Sequence, residues 1–122
     1  MTLQVGEVVL IRMRFHQASG AKVRPAIVLL DTGDEDFVAA PITSQARHSE
    51  YDLAIEDWQT PGLNVASYIR IHKLTVLTKA DIVRNVGSVS EGDHASLVGL
   101  LCRAFCRRTP RPHAASHRRD FP

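Results

Sequence analysis

A chain of 122 residues with 44% hydrophobic and 23% charged residues has the length and composition of one soluble globular domain. No apolar run approaches the roughly 18–20 residues that a membrane-spanning helix needs, and the opening MTLQVGE lacks the basic and apolar regions of a secretory signal. Two cysteines are too few for a disulfide framework. Together these features predict a cytoplasmic protein.

The net charge of +2 is unevenly distributed along the chain. Residues 107–122 contain five arginines and one aspartate, so the preceding part has ten Lys/Arg and twelve Asp/Glu. The sequence therefore predicts a domain at 1–106 and a basic, disordered tail at 107–122. A polyanionic partner would have to be recognised by the local placement of basic residues in the domain, because the domain as a whole is slightly acidic.

The segment GEVVLIRMRF at 6–15 predicts the first strand, because one of its faces is uniformly apolar at a period of two. Its other face changes from apolar to basic and ends in Arg12 and Arg14. The polar and small residues at 16–22 predict a loop. This strand is therefore expected to leave the core and enter a basic surface.

The next two strands are predicted at 24–31 and 37–43, joined by the turn DTGDED at 31–36. The first of them is apolar on both faces, which is typical of a strand covered on both sides. Pro25 has no N–H and is suited to the start of a strand. The two segments together predict an antiparallel hairpin.

Further short strands are predicted at 50–56, 65–71 and 74–78, and a helix follows Ser90 and Asp93, which form a capping pair. The predicted buried stripe of that helix consists of Val98, Leu101, Ala104 and Phe105. The pattern as a whole predicts a mainly β fold, with a small, strongly bent sheet or barrel and a C-terminal helix.

The hairpin brings two polar residues toward each other. A symmetric turn pairs Asp31 with Asp36, and the same register places Arg24 opposite Thr43. Residues that lie directly opposite in an antiparallel pair project from the same face. A guanidinium and a hydroxyl are therefore expected to converge at one end of the sheet, unless a bulge interrupts the register.

The dipeptide Arg24-Pro25 favours a binding role for this arginine, because a residue before proline is restricted to extended conformations. A guanidinium fits phosphate oxygens, and Thr43 can add a hydrogen bond, so the pair could stabilise charge on a pentacoordinate phosphorus. The alternative is that Arg24 forms a surface ion pair with Asp31 or Glu7.

These segments, taken in order, resemble the MazF/PemK family of bacterial toxins. The resemblance rests on GEVVLIRMRF, KVRPAIVL, AAPIT and SYIRIHKLTVLTKADIVRNVGSVS, and it extends from about Gly6 to Phe105. It implies an SH3-like barrel with a C-terminal helix, usually assembled as a homodimer. It also implies a cognate antitoxin as partner, whose flexible segment occupies the RNA groove.

The activity that the resemblance implies is metal-independent, sequence-selective cleavage of single-stranded RNA, which inhibits translation and growth. The ribose 2′-OH would attack the adjacent phosphate and give a cyclic phosphate. By position, Arg24 and Thr43 correspond to the catalytic residues of the family. His16 is the predicted proton-transfer helper, with His48 and His72 as alternatives; no cofactor is expected.

Several other polar residues are candidates for tracking the RNA backbone. They are Arg12, Arg14, Lys22, Ser44, Arg47, Arg70 and His72. Some family members have Asp two residues after an arginine near the groove, where this chain has His72 after Arg70. The alternative for the whole set is ordinary surface charge.

Two further interpretations stand beside the blander one of a structural barrel with no role in nucleic-acid binding. One is a non-catalytic binding protein on the same fold, such as a DNA gyrase inhibitor of the related CcdB group or an inactive family member. The other is a zinc site formed by Cys102, Cys106, His113 and His117, whose pairwise spacings are typical of zinc ligands. Two prolines stand between these pairs and only six residues separate them, so no metal is predicted.

Overall fold

The structure, a computed structural model, describes residues 2–14, 21–46 and 48–106. The strands are β1 (Glu7–Arg14), β2 (Ala21–Asp31), β3 (Asp36–Thr43), β4 (Asp52–Ala54), β5 (Tyr68–Arg70), β6 (Thr75–Thr78) and β7 (Ile82–Ser88), and the helix is α1 (Glu91–Phe105). Within these ranges, no helix is long and apolar enough to cross a membrane. The predicted tail at 107–122 lies outside the described residues.

The strands form one antiparallel sheet in the order β4-β5-β3-β2-β1-β7, and β6 also pairs with β3. The predicted mainly β architecture with a C-terminal helix is confirmed. No pairing among the described strands joins β4 to β7, so the sheet is not a closed barrel. It is branched instead. The branch lies in β3, whose first part pairs with β6 while Ile42 and Thr43 pair with β5.

Strand β2 is covered on both faces, as its apolar pattern predicts. Ile27 belongs to the larger core cluster, where the helix contributes Leu97 and Leu100. Ala26 and Val28 belong to a second cluster on the opposite face. A fully buried aliphatic side chain contributes about 1.5–3 kcal/mol to stability, so the two clusters hold the central strands from both sides.

The hairpin turn differs by one residue from the predicted register. Asp31 pairs with Phe37 rather than with Asp36. The Asp31 carboxylate accepts a hydrogen bond from the Gly33 N–H (2.8 Å), and Gly33 adopts a φ of 92° that a glycine tolerates best. This side-chain turn replaces the symmetric turn and displaces the pairing beside it.

A bulge at Leu29 corrects the register farther along the hairpin. Beyond it Ala26 pairs with Pro41, which is the register that the symmetric turn predicts. The β2–β3 pairing ends there, and on the other edge of β3 Thr43 pairs with Tyr68 of β5. Arg24 and Thr43 therefore reach the same end of the sheet without forming a ladder pair.

The helix begins as predicted. The Ser90 Oγ accepts a hydrogen bond from the Asp93 N–H (3.2 Å), which satisfies one of the free N–H groups of the first turn. The Asp93 carboxylate is buried and accepts hydrogen bonds from the N–H groups of Glu56 (3.0 Å) and Asp57 (2.8 Å). One carboxylate thus joins the start of the helix to the loop after β4.

The buried face of the helix matches the prediction only in part: Leu101 and Ala104 are half-buried and pack against the core. Leu97 and Leu100 are fully buried, whereas Val98 and Phe105 are 40% and 60% exposed. Both sets have helical spacing, so the sequence pattern alone does not distinguish them. The contact with the sheet selects the face that contains the two leucines.

Candidate functional site

A cavity of about 560 Å³ opens where β2 and β3 end. This volume lies in the range of ligand-binding clefts. Its lining residues are Leu10, Arg24, Pro25, Ile42, Thr43, Ser44, Gln45, Gly62, Leu63, Asn64, Val65, Ser67, Arg84 and Val86. The charged residues in that lining are two arginines, Arg24 and Arg84, although the domain as a whole has more acidic than basic residues. The cavity therefore favours an anionic ligand.

The Arg24 side chain is exposed and forms no ion pair or hydrogen bond with the part of the chain that the structure describes. The carboxylates considered as its partners have other contacts. Asp31 accepts from Lys79 (3.0 Å), and Glu7 accepts from the N–H of Gln4 (2.9 Å). The structure thus does not support the surface ion pair, and the guanidinium is available to a ligand.

Thr43 is held in one orientation by its own backbone. Its Oγ1 accepts a hydrogen bond from the Gln45 N–H (3.1 Å) where β3 ends, as hydroxyl side chains commonly do at such turns. A hydroxyl that accepts in this way still has its proton to donate. Thr43 lines the same cavity as Arg24, so a bound anion there would meet a guanidinium and an O–H donor.

The two residues also line a second, more apolar cavity of about 350 Å³. Pro25 and Ile42 are shared with the first cavity as well, while Met13 and Leu77 belong to the second alone. Arg24 and Thr43 therefore stand on the edge at which a polar cleft and an apolar cleft meet.

A closed loop forms the opposite wall of the first cavity. The N–H of Ile55 donates to the carbonyl of Ser67 (3.0 Å), which brings the ends of the loop together. Asp93 anchors its first residues, and the Ser67 hydroxyl donates to the carbonyl of Val65 (2.8 Å). Asn64 thus faces the cavity from a loop held at both ends.

The other residues predicted to contact the RNA backbone lie in different parts of the structure. Ser44 lines the cavity. Arg12 and Lys22 are exposed on the paired strands β1 and β2 but do not line it. The side chain of Arg14, together with His16 and Arg47, lies outside the described residues. RNA contact by this group stays a prediction.

Arg70 and His72 lie together, away from the cavity lining. The Arg70 Nε donates to the Asp52 Oδ1 (2.9 Å), and its Nη2 lies 3.3 Å from the His72 Nε2. The side chains of Arg70 and Asp52 are 23% and 1% exposed. Burial opposes ionisation of Asp52, but hydrogen bonds from Arg70 and Ser49 outweigh it and lower the pKa of that carboxyl.

Sequence reasoning missed Asn64 and Arg84 in the cavity lining. Arg84 enters because β7 pairs with β1, which places it opposite Leu10. No local pattern near either residue identifies it; the pairing of the first strand with the last would have to be known. Across the described ranges, no group of three His, Cys, Asp or Glu side chains is arranged to hold a metal ion.

Comparisons with known proteins agree with this architecture. The mycobacterial structure titled "Endoribonuclease in complex with its cognate antitoxin" is similar at a TM-score of 0.68 and 16% identity, covering 89% of this chain and 100% of the other. A MazE–MazF structure from Deinococcus radiodurans has a TM-score of 0.70 at 16% identity, covering 87% and 97%. Toxin MazF-mt6 of Mycobacterium tuberculosis has 0.64 at 18%, covering 83% and 99%.

At these identities the structural likeness establishes the fold alone. No curated protein sequence matches this chain. The family model described as the PemK-like, MazF-like toxin of type II toxin–antitoxin systems matches residues 4–105, which is most of the chain and nearly all of the described part. The chain therefore belongs to the PemK-like, MazF-like family of toxins.

Proposed function

We propose that this protein is a toxin that cleaves single-stranded RNA in the cytoplasm without a metal ion, at the cavity formed around Arg24 and Thr43. One observation supports this most strongly: an unpaired guanidinium and a positioned hydroxyl line one cavity whose charged lining residues are both arginines. The endoribonuclease named in a similar mycobacterial structure is consistent with this activity.

The cleavage step uses the RNA, these side chains and water, which supplies the proton that the leaving 5′ oxygen takes up. The ribose 2′ oxygen attacks the adjacent phosphorus, the bond from phosphorus to the 5′ oxygen breaks, and the products are a 2′,3′-cyclic phosphate and a 5′-hydroxyl. Arg24 would neutralise the charge that develops on the non-bridging oxygens, and the Thr43 hydroxyl would donate to one of them. Donors placed where charge develops lower the barrier most effectively.

The step also needs an acceptor for the 2′ proton. A guanidinium does not lose its proton in proteins, so Arg24 is unsuited to this role. We assign it to His16, since histidine changes its charge near neutral pH. His16→Gln should therefore slow the cleavage measured at neutral pH.

A homodimer and a cognate antitoxin are the proposed protein partners. A similar solved structure contains MazE with MazF. On this chain Val76 is 63% exposed and Met13 is 38% exposed, and Met13 lines the apolar cavity beside Arg24. Light scattering on the purified protein should give twice the chain mass.

The direct test is incubation of the purified protein with a diverse set of single-stranded RNAs in EDTA. The wild type should cleave them at a limited set of sequences, and Arg24→Ala and Thr43→Ala should cleave them far more slowly. Arg103→Ala, which removes the same charge from the helix outside the cavity lining, should cleave normally. Growth arrest with DNA breaks and intact RNA would instead indicate the gyrase-inhibiting alternative.

A further inference from the structure

A row of paired residues crosses the sheet from Arg84 to the neighbour of Arg24. Arg84 of β7 pairs with Leu10 of β1, and Leu10 pairs with Pro25 of β2. Neighbouring strands lie about 4.8 Å apart, so the backbones of Arg84 and Pro25 are separated by about 10 Å. The two arginines of the cavity therefore stand on strands that are separated by β1.

The surface between these arginines is apolar and its edge is polar. Leu10 of β1 lies between their strands, Pro25 and Ile42 line the cavity on the Arg24 side, and the loop contributes Asn64. An apolar floor accommodates the face of a nucleobase, and a side-chain amide can hydrogen-bond to a base edge. This arrangement suits a nucleotide whose flanking phosphates point in two directions.

Strand β7 is irregular on both sides of Arg84. Its register with β1 shifts between Val8 and Val9 and again between Leu10 and Ile11, so only the pairs that involve Val9 and Leu10 lie between the two shifts. Bulges redirect side chains and occur frequently beside active sites. The Arg84 side chain is exposed and has no ion pair or hydrogen bond with any residue that the structure describes.

We propose that Arg84 binds a second phosphate of the RNA, next to the phosphate that is cleaved, and so fixes which nucleotide occupies the apolar floor. This role rests on the proposed ribonuclease function. Arg84 is a binding and positioning residue: its strand is separated from that of Arg24 by β1, and it takes no part in proton transfer. Its loss should weaken RNA binding while the chemical step stays intact.

The test first uses the wild type to map the cleaved bond, and then an RNA with 2′-deoxyribose at that position, which binds but cannot be cut. Its affinity is measured over a series of salt concentrations. Arg84→Ala should bind about tenfold more weakly at low salt and should reduce the salt slope by about 0.7, the value for one phosphate contact on a single strand. Arg84→Lys should restore the slope, and Arg103→Ala should leave both quantities unchanged.

A second measurement locates the contact. Methylphosphonate, which removes one backbone charge, is placed at each linkage near the cleaved bond in turn. At one linkage beside the cleaved one, the substitution should weaken binding to the wild type but not to Arg84→Ala. In cleavage assays on the unmodified RNA, Arg84→Ala should raise KM about tenfold with kcat changed by less than about threefold.

The outcomes distinguish the two proposals. A wild type that neither binds nor cleaves RNA would overturn the ribonuclease function and this inference together. A wild type that cleaves RNA, with Arg84→Ala showing an unchanged salt slope and the same methylphosphonate profile, would overturn the inference alone. If methylphosphonate at the cleaved linkage itself weakened binding to the wild type but not to Arg84→Ala, Arg84 would contact the same phosphate as Arg24. That result would also contradict the proposal.

Discussion

Arg24 and Arg70 are both strand arginines that the sequence identifies as candidates for phosphate binding, but the structure places them in opposite situations. Arg70 lies directly opposite Asp52 in the β4–β5 pair and donates to its carboxylate at 2.9 Å. Arg24 has no acidic partner in the described chain and lines a cavity with Thr43. One guanidinium is already engaged within the fold, and the other is left for a ligand.

This difference distinguishes an arginine that stabilises the fold from one that is available to a ligand, although both lie near the end of a strand. A buried carboxylate left without its cation destabilises the fold, so Arg70 should matter for stability. An exposed cation without a partner contributes little to stability, so Arg24 should matter only when RNA is present. The variants below test that separation, from the largest expected effect to the smallest.

Arg24→Ala should reduce kcat for RNA cleavage by about 10²–10³-fold, because it removes a donor aimed at the developing charge. Its melting temperature should stay within about 2 °C of the wild type, since no internal contact is lost. Cleavage assays in EDTA and thermal melts on the same preparation measure both quantities. Cleavage at the wild-type rate would remove Arg24 from the active site.

Thr43→Val should reduce kcat by about 10–100-fold, because the shape is retained while one hydrogen bond to the phosphate is lost. Thr43→Ser keeps the hydroxyl and should stay within a few-fold of the wild type. Thr60→Val, an exposed loop substitution outside the cavity lining, serves as the matched control. Equal activity of the Val and Ser variants would show that the hydroxyl does not contact the reacting group.

Arg70→Ala should lower the free energy of unfolding by about 1–2 kcal/mol, because the Asp52 carboxylate loses a charged hydrogen-bond donor in a nearly buried position. At a temperature where both proteins are folded, its kcat/KM should equal that of the wild type. Urea denaturation and cleavage assays give the two values. If Arg70→Ala were as stable as the wild type but bound RNA weakly, Arg70 would be an RNA-binding residue after all.

Asp31→Asn should produce the smallest effect, and one that depends on pH. Hydrogen bonds from the N–H groups of Leu3 and Gly33, with a further one from Lys79, lower the pKa of Asp31 from 3.8 to about 2. A carboxyl with a lowered pKa in the folded state stabilises the fold above its unfolded pKa and ceases to do so as the pH falls.

The melting temperature of the wild type should therefore exceed that of Asp31→Asn at pH 7, and the difference should shrink as the pH falls from about 4 to about 2. Glu50→Gln, a substitution of an exposed carboxyl, serves as the control. A difference that is constant over this pH range would show that the charge of Asp31 has no part in the stabilisation.

Much of the fold follows from local patterns. The apolar periods of β1, β2 and β3 and the Ser90–Asp93 cap predict the elements that the structure contains. Arg24 and Thr43 converge because the hairpin is a local structure, whose register is decided within a few residues. The bulge at Leu29 is the detail that this reasoning lacked, and it happens to restore the outer register.

The remaining features depend on contacts between distant parts of the chain. Whether Arg70 faces RNA or Asp52 depends on the β4–β5 register, and the entry of Arg84 into the cavity depends on the pairing of β7 with β1. In the helix, Leu97 and Val98 fit the same period, and only packing on the sheet decides which is buried. Such choices are made by tertiary structure rather than by local sequence.

The most direct test of the account compares Arg24→Ala and Arg70→Ala in one experiment, with cleavage of the same single-stranded RNA in EDTA and thermal melting recorded for both. The account predicts a crossed result: Arg24→Ala melts like the wild type but does not cleave, and Arg70→Ala cleaves like the wild type but melts at a lower temperature. Arg24→Ala with full activity, or loss of activity in both variants in proportion to their loss of stability, would contradict it.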